Sequence, residues 1–410
     1  MRRNRTKGIV TWLFLTVVAT YSLCLLMCQY YKYIKKDPTT WSECQEIIKE
    51  SFLSSLLQDR ICSNEKPSDE DVFSKYKGKD CDLVRRELFP HPTPTQEERN
   101  FPIAYAVVLF KSANLAEKVL QSVYMPHNTY CIHVDVKSSD TFRNAMKAMT
   151  DCLDNVFFTS KRVDLVWAHV STLYAQRNCL RELMESPVKW KYFMHISGQE
   201  LPLYTNAEIV HALAMLNGFN NIESFAIPPN NWGRMQYSHE LMKVKGREFH
   251  RSYIMIRTEV TKQPPPWSIN LQKGSNFVAI TREAANYILH NQVAIDFLDW
   301  LNDTAKPDET FYSSLQQHPG FPGGIHGDQP EWILRAVSWQ MENTCYGRWI
   351  RGVCWVTMRD LIWILGSTMR QKLFVTKIPF EYRDDLLKCL SIARRTRKYG
   401  QDVFRVSGVL

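Results

Sequence analysis

None of the eleven cysteines forms a C-x-x-C pair, and no zinc-ligand pairing is present. Zinc modules and thioredoxin-like redox chemistry are therefore excluded as the organising theme. Helix-turn-helix spacing is missing too, although the formal charge is +9 with basic clusters at Arg2, Arg3, Arg5 and Lys7 and in the late "RRTRKYG". Without a recognisable module those clusters do not indicate a nucleic-acid partner. Internal repeats and low-complexity tracts are absent. Plain Asp-x-Asp occurs only as Asp69-Glu70-Asp71 and Asp80-Cys81-Asp82, in polar sequence and not behind a buried strand.

The 410 residues suffice for one large domain with an appendage or for two modest domains. Ile9 to Cys28 is an uncharged apolar run, about the length of a helix that crosses a bilayer. It is longer than the apolar region of a cleaved signal peptide, and no Ala-x-Ala follows it, so it reads as a signal anchor. Lys32, Lys35 and Lys36 behind it make the flanking charge indecisive. The cysteines beyond the span (Cys44, Cys62, Cys81, Cys131, Cys152, Cys179, Cys345, Cys354 and Cys389) are scattered, as structural disulfides of an oxidising lumen are. Their odd number leaves at least one thiol over. The expected layout is a cytosolic tail (1–8), an anchor (9–28), a lumenal stem (29–100) rich in turns and ending in "FPHPTPTQEERN", and a catalytic domain (101–410). Asn302-Asp303-Thr304 is a sequon usable in the lumen; Asn4 would stay bare in the cytosol.

From Phe101 onward the pattern changes. "FPIAYAVVLF" reads as a buried strand, "NLAEKVLQSVY" as a helix, "YCIHVD" as a second strand and "NVFF" as a third. Val170, Leu173, Tyr174, Arg177, Leu180 and Met184 mark a long amphipathic helix, followed by the strand "KWKYFMHIS" and a helix "AEIVHALAML" that Thr205 or Asn206 can cap. "NFVAITREAANYIL" reads as strand then helix, and "PDETFYSSLQQ" as a helix opened by Pro307. Such alternation implies an α/β fold with a mostly parallel sheet, whose ligands gather past the carboxyl ends of the strands. Asp135, Ser197 and Glu200 lie at such ends. In "YCIHVDVKSSD" a strand-end acid is followed not by a second acid but by Lys137, so the metal-holding Asp-x-Asp is not formed there.

In order and spacing, "FPIAYAVVLFK", "MPHNTYCIHVDVKS", "CLDNVFFTS", "WKYFMHISGQELPLYTN", "GSNFVAITREAANYIL", "KPDETF" and "RGVCWVTMRDLIW" resemble the branching β-1,6-N-acetylglucosaminyltransferases, glycosyltransferase family 14. That family includes the core 2 and I-branching enzymes and, more distantly, protein xylosyltransferases. The resemblance implies a GT-A-like fold, a Golgi type II membrane protein, a UDP-sugar donor, inversion at the anomeric carbon, no divalent metal, and as acceptor the 6-OH of galactose or N-acetylgalactosamine in an O-glycan core. It leaves the oligomeric state open.

Carried over residue by residue, it implies Glu309 as the base, with Lys306 standing where the family has Ser. Asp308 is the local rival, as a capping or positioning group. Arg351 and Lys377 would bind the diphosphate, with Lys372 a competitor for the second role. Asp135 would contact the uridine, although a strand-end acid also commonly caps a turn. Glu223 and Arg234 would bind the acceptor, but Asn231 replaces the expected Lys between them. Gly274-Ser275 matches the family's Gly-Ser near the site, and Trp232 is an aromatic that could stack on a sugar. The implied disulfides are Cys44 with Cys389, Cys81 with Cys152, Cys131 with Cys179 and Cys345 with Cys354, with Cys62 left over. A membrane-anchored glycan-binding relative without turnover and a xylosyltransferase-like enzyme are the alternatives.

Overall fold

The computed structural model describes residues 38–54, 66–244, 253–327, 330–340, 344–366, 371–382 and 384–396. The expected membrane span and Cys62 lie outside them. Among the described residues no helix is long and apolar enough to cross a membrane. The described residues form two compact units, one within 67–337 and 371–380, the other of 38–54, Lys66, 338–366 and 381–396.

The larger unit is built on β1 (Ile103–Leu109), β2 (Thr129–Val134), β3 (Val156–Phe158) and β4 (Tyr192–Ser197), with helices Ala113–Val123, Asp140–Thr150 and Ser171–Glu185 between them. Smaller strands follow: β5 (Glu200–Pro202), β6 (Phe225–Ala226), β7 (Tyr237–Lys243), β8 (Tyr253–Thr261), β9 (Gln272–Lys273), β10 (Ala279–Thr281), β11 (Arg335–Ala336) and, after a return from the other unit, β14 (Phe374–Thr376). The main sheet has the order β10-β4-β1-β2-β3. Its strands are parallel except β10. β1 and β2 are apolar on both faces because helices cover both, and nearly every residue in them is buried. This is the expected α/β class. Crossovers from β1 through β3 build one side, and β4 then returns to the other side of β1, which makes the strand ends beside β1 a topological switch point.

Local signals explain several boundaries. Thr205 and Glu208 form a reciprocal capping box that starts the helix Asn206–Ala214. Pro307 opens only a single tight turn, Pro307–Glu309; Thr310 breaks it and the α-helix is Phe311–Gln316, shorter than the sequence pattern suggests. The stem expectation needs a larger correction. Residues 67–100 fold onto the larger unit: Val72, Tyr76, Val84 and Phe89 are buried. Tyr76 donates to Glu117 at 2.6 Å, Asp69 accepts the Ala113 N–H at 2.8 Å, and Cys81 is bonded to Cys152. Four large apolar side chains spaced through a polar stretch give no periodic signal, yet each fully buried one contributes about 1.5–3 kcal/mol.

In the smaller unit, helix Trp41–Ser54 is tied to helix Asp384–Thr396 by the Cys44–Cys389 disulfide. β12 (Arg348–Ile350) and β13 (Val353–Trp355) form a hairpin, and Cys345–Cys354 staples its base. The buried Asp360 accepts hydrogen bonds from the Tyr346 and Thr357 backbone N–H groups and from Trp363 Nε1, at 2.8–3.0 Å.

Candidate active site

Glu309 sits where the Pro307 turn breaks, with its side chain about a quarter exposed. The backbone around it is fixed on two sides. Lys306, held in a left-handed conformation, donates its N–H to Ala168 O at 2.8 Å, and Gly274 donates to Glu309 O at 2.8 Å. Three cations surround the carboxylate. Arg234 Nη1 lies 2.9 Å and Lys273 Nζ 3.4 Å from Oε2, and Lys306 Nζ lies 3.5 Å from Oε1. Arg234 arrives on the short helix Gly233–Gln236, and Lys273 on β9, where it pairs with Phe225 of β6. Oε2 is therefore doubly engaged, while Oε1 is approached by Lys306 at the longer distance.

Glu223 is the neighbouring acid. Burial pushes its carboxyl above the usual range and the Glu309 charge adds to this, against Lys273, Lys372 and a Ser275 backbone hydrogen bond. Ser313 Oγ donates to the Glu223 carbonyl at 2.8 Å. The Gly-Ser motif is here a close approach, since a Cβ on Gly274 would lie 1.8 Å from Glu223 O and 2.5 Å from Ser313 Oγ. Gly274→Ala should destabilise the protein by about 1–3 kcal/mol and lower activity by parting Glu223 from Glu309, readable as a fall in both Tm and turnover.

Asp308 is partly covered, and desolvation with the adjacent Glu309 charge pushes its carboxyl up to about 6. In an unfolded chain an Asp titrates near about 3.9, so the native state holds the extra proton between those values. Its contribution to stability is thus present below about pH 4 and is lost as pH rises through 6. Thermal melts from pH 4 to 8 should show that Asp308→Asn removes part of this decline. Identical pH dependence in the two proteins would contradict it.

The other candidates are distributed. Asp135 ends β2, is only 2% exposed, and has its carboxylate bonded to Lys137. Arg351 belongs to the smaller unit, at the tip of the β12–β13 hairpin. There it and Gly352 both take positive φ (56° and 77°), as a two-residue primed turn requires. Lys377 follows β14 in the larger unit, beside Ile378, whose N–H donates to Gln199 O at 2.8 Å. Lys372 is engaged with Glu331 at 2.9 Å and with the Trp332 carbonyl. Asn231 ends a tight turn next to Trp232, which is 40% exposed. Asn302 is exposed and accepts from Tyr174 Oη. Cys131 and Cys179 are bonded, joining β2 to the helix Ser171–Glu185.

Sequence reasoning passed over Lys273 and treated Lys306 only as a departure from a motif. Both had a signal: Lys306 stands three residues before Glu309 on a turn, the spacing of facing side chains, and Lys273 directly precedes the Gly-Ser pair.

The larger unit thus holds a mostly parallel sheet with acids beyond its strand ends and a partly exposed carboxylate set among fixed cations. The sequence model of the Core-2/I-Branching enzyme family matches residues 103–365. A human N-acetyllactosaminide β-1,6-N-acetylglucosaminyl-transferase is 36% identical over 322 residues, 77% of this chain and 78% of its own. The mouse protein of that name is 36% identical over 379 residues, 87% of this chain and 90% of its own. A zebrafish (Danio rerio) β-1,3-galactosyl-O-glycosyl-glycoprotein β-1,6-N-acetylglucosaminyltransferase 4 is 35% identical over 339 residues, 80% of this chain and 78% of its own. The chain belongs to the Core-2/I-branching enzyme family. Among solved structures, a UDP-glucose pyrophosphorylase from Leishmania major overlaps 64% of this chain and 61% of its own at 10% identity and a TM-score of 0.23, too little to bear on fold or function.

Proposed function

We propose that the protein is an inverting β-1,6-N-acetylglucosaminyltransferase that branches glycans, using a UDP-linked donor and the 6-OH of a galactose or N-acetylgalactosamine in an O-glycan core. The observation that carries this reading is the Glu309 carboxylate, reachable from solvent and held by Arg234, Lys273 and Lys306. The hydroxyl oxygen attacks the anomeric carbon as Glu309 Oε1 takes its proton, and the bond to the diphosphate breaks with its electron pair leaving on UDP. Arg234 is paired with that carboxylate and Glu223 lies near enough to feel its charge; they suit sugar hydroxyls, Arg234 as donor and Glu223 as acceptor or, when protonated, donor.

The leaving diphosphate needs fixed positive charge, and Arg351 and Lys377 are assigned that role in place of a divalent metal. Asp135 is assigned to the uridine. In this reading residues 9–28 anchor a lumenal enzyme in the Golgi membrane, with Asn302 glycosylated.

The test uses the purified full-length chain, a galactose-terminated glycan and UDP-N-acetylglucosamine, UDP-glucose or UDP-xylose in excess chelator. Transfer of N-acetylglucosamine undiminished by the chelator is expected. Strict dependence on Mn²⁺ would sink the metal-free mechanism, and preference for another sugar the donor assignment.

A further inference from the structure

We infer that Lys137 is a positioning residue for the donor, a built-in cation that fills an oxygen cage and holds Asp135 for the nucleotide; this rests on the donor reading of Asp135 given above. Lys137 Nζ donates to Asp135 Oδ2 at 3.1 Å and to the Leu165 carbonyl at 2.8 Å, and pairs with Asp164. The Lys137 backbone N–H donates to Asp135 Oδ1 at 2.8 Å, so one residue grips both carboxylate oxygens.

An ammonium has three protons, and the three acceptors of the cage use all of them. Lys137 therefore has none to offer a ligand and acts through Asp135. A carboxylate as buried as Asp135 is costly without a paired cation, and Lys137 supplies it. Two carboxylates against one ammonium, with Arg162 Nη2 on the Val136 carbonyl at 3.3 Å, leave the cage no excess of positive charge. That disfavours a phosphate and favours the N–H and O–H donors of a nucleoside, which sets the direction in which UDP lies.

The far wall of the cage is fastened independently. Val163 donates its N–H to His133 Nε2 at 2.9 Å, and Val136 donates to Val163 O at 3.3 Å. Burial holds His133 down to about 4, so its ring stays neutral and able to accept. The same loop runs on to Ala168, whose carbonyl receives the Lys306 N–H beside Glu309. Glu309 keeps its own three cations whatever happens at Lys137, so the two ends are separable by kinetics.

The experiment measures UDP affinity by calorimetry, and KM for donor and acceptor with kcat, on full-length wild type, Lys137→Met and Asp164→Asn. Wild type that binds no UDP would overturn the donor reading of Asp135 itself. Given binding, Lys137→Met should weaken UDP and raise donor KM about tenfold, with acceptor KM and kcat unchanged. Asp164→Asn, which is half-exposed and leaves Asp135 intact, should shift donor KM the same way by less. Unchanged UDP affinity in both variants, or a fall in kcat at constant donor KM, would overturn the assignment to Lys137.

Discussion

Glu309→Gln should lower kcat by about 10²–10⁴-fold while leaving UDP affinity unchanged, as read from initial rates at saturating donor and from calorimetry. Glutamine keeps the shape of the side chain and an oxygen for Arg234, but an amide cannot take the proton of an attacking hydroxyl. Stability should hardly move, because ion pairs with partners about a quarter exposed contribute only about 0–1 kcal/mol each. The neighbouring acid is the control. Asp308→Asn should retain transfer, since the Glu309 carboxylate and its cations remain. Full activity in Glu309→Gln together with loss in Asp308→Asn would move the base by one residue.

The largest effect on stability is expected at Glu200. The Arg335 side chain is 1% exposed and lies between the rings of Phe277 and Phe374, 4.4 Å from each centroid. Its Nε donates to Glu200 Oε2 at 2.9 Å, and its remaining nitrogens donate to the carbonyls of His195 and Leu334 at 2.9 and 3.0 Å. Ser197 Oγ donates to the other Glu200 oxygen at 2.7 Å. Burial works against both charges, raising the Glu200 carboxyl and lowering the guanidinium, while each partner opposes that shift in the other. Glu200→Ala leaves a guanidinium enclosed without its counter-charge, a loss of about 3–5 kcal/mol, measured as the fall in urea midpoint or in Tm. Glu200→Gln keeps an acceptor and should fall less. Equal stability of wild type and Glu200→Ala would mean that the pair does not hold β4, β5 and β11 together.

Glu200 also marks where sequence reading reaches its limit. It was read, with Asp135 and Ser197, as an acid or hydroxyl beyond a strand end, and local sequence treats all three alike. The structure separates them: Glu200 is consumed by a guanidinium 135 residues away along the chain and Ser197 donates to Glu200, whereas Asp135 is held by a lysine two residues away. Long-range polar pairing has no periodicity to detect. The α/β order was legible for the opposite reason: β1, β2 and β4 are short apolar runs, and Thr205 with Glu208 writes a helix start into four residues.

The cations on Glu309 were half legible. Arg234 came from spacing in a resembled motif; Lys273 reaches Glu309 only because β9 pairs with β6, two strands of two residues each that no pattern announces. The segment 67–100 reads as stem, not as folded structure, because its buried anchors are isolated within polar sequence. Burial there depends on the helix Ala113–Val123, which receives Asp69 and Tyr76.

The central claim is that Glu309 deprotonates a primary sugar hydroxyl for inverting transfer of N-acetylglucosamine. NMR of the product made by the full-length chain from UDP-N-acetylglucosamine, in excess chelator, tests it most directly. The account predicts one new β-anomeric N-acetylglucosamine linked to carbon 6 of the acceptor, and no such product from Glu309→Gln. An α linkage, attachment to a secondary hydroxyl, or the same product from Glu309→Gln would contradict it.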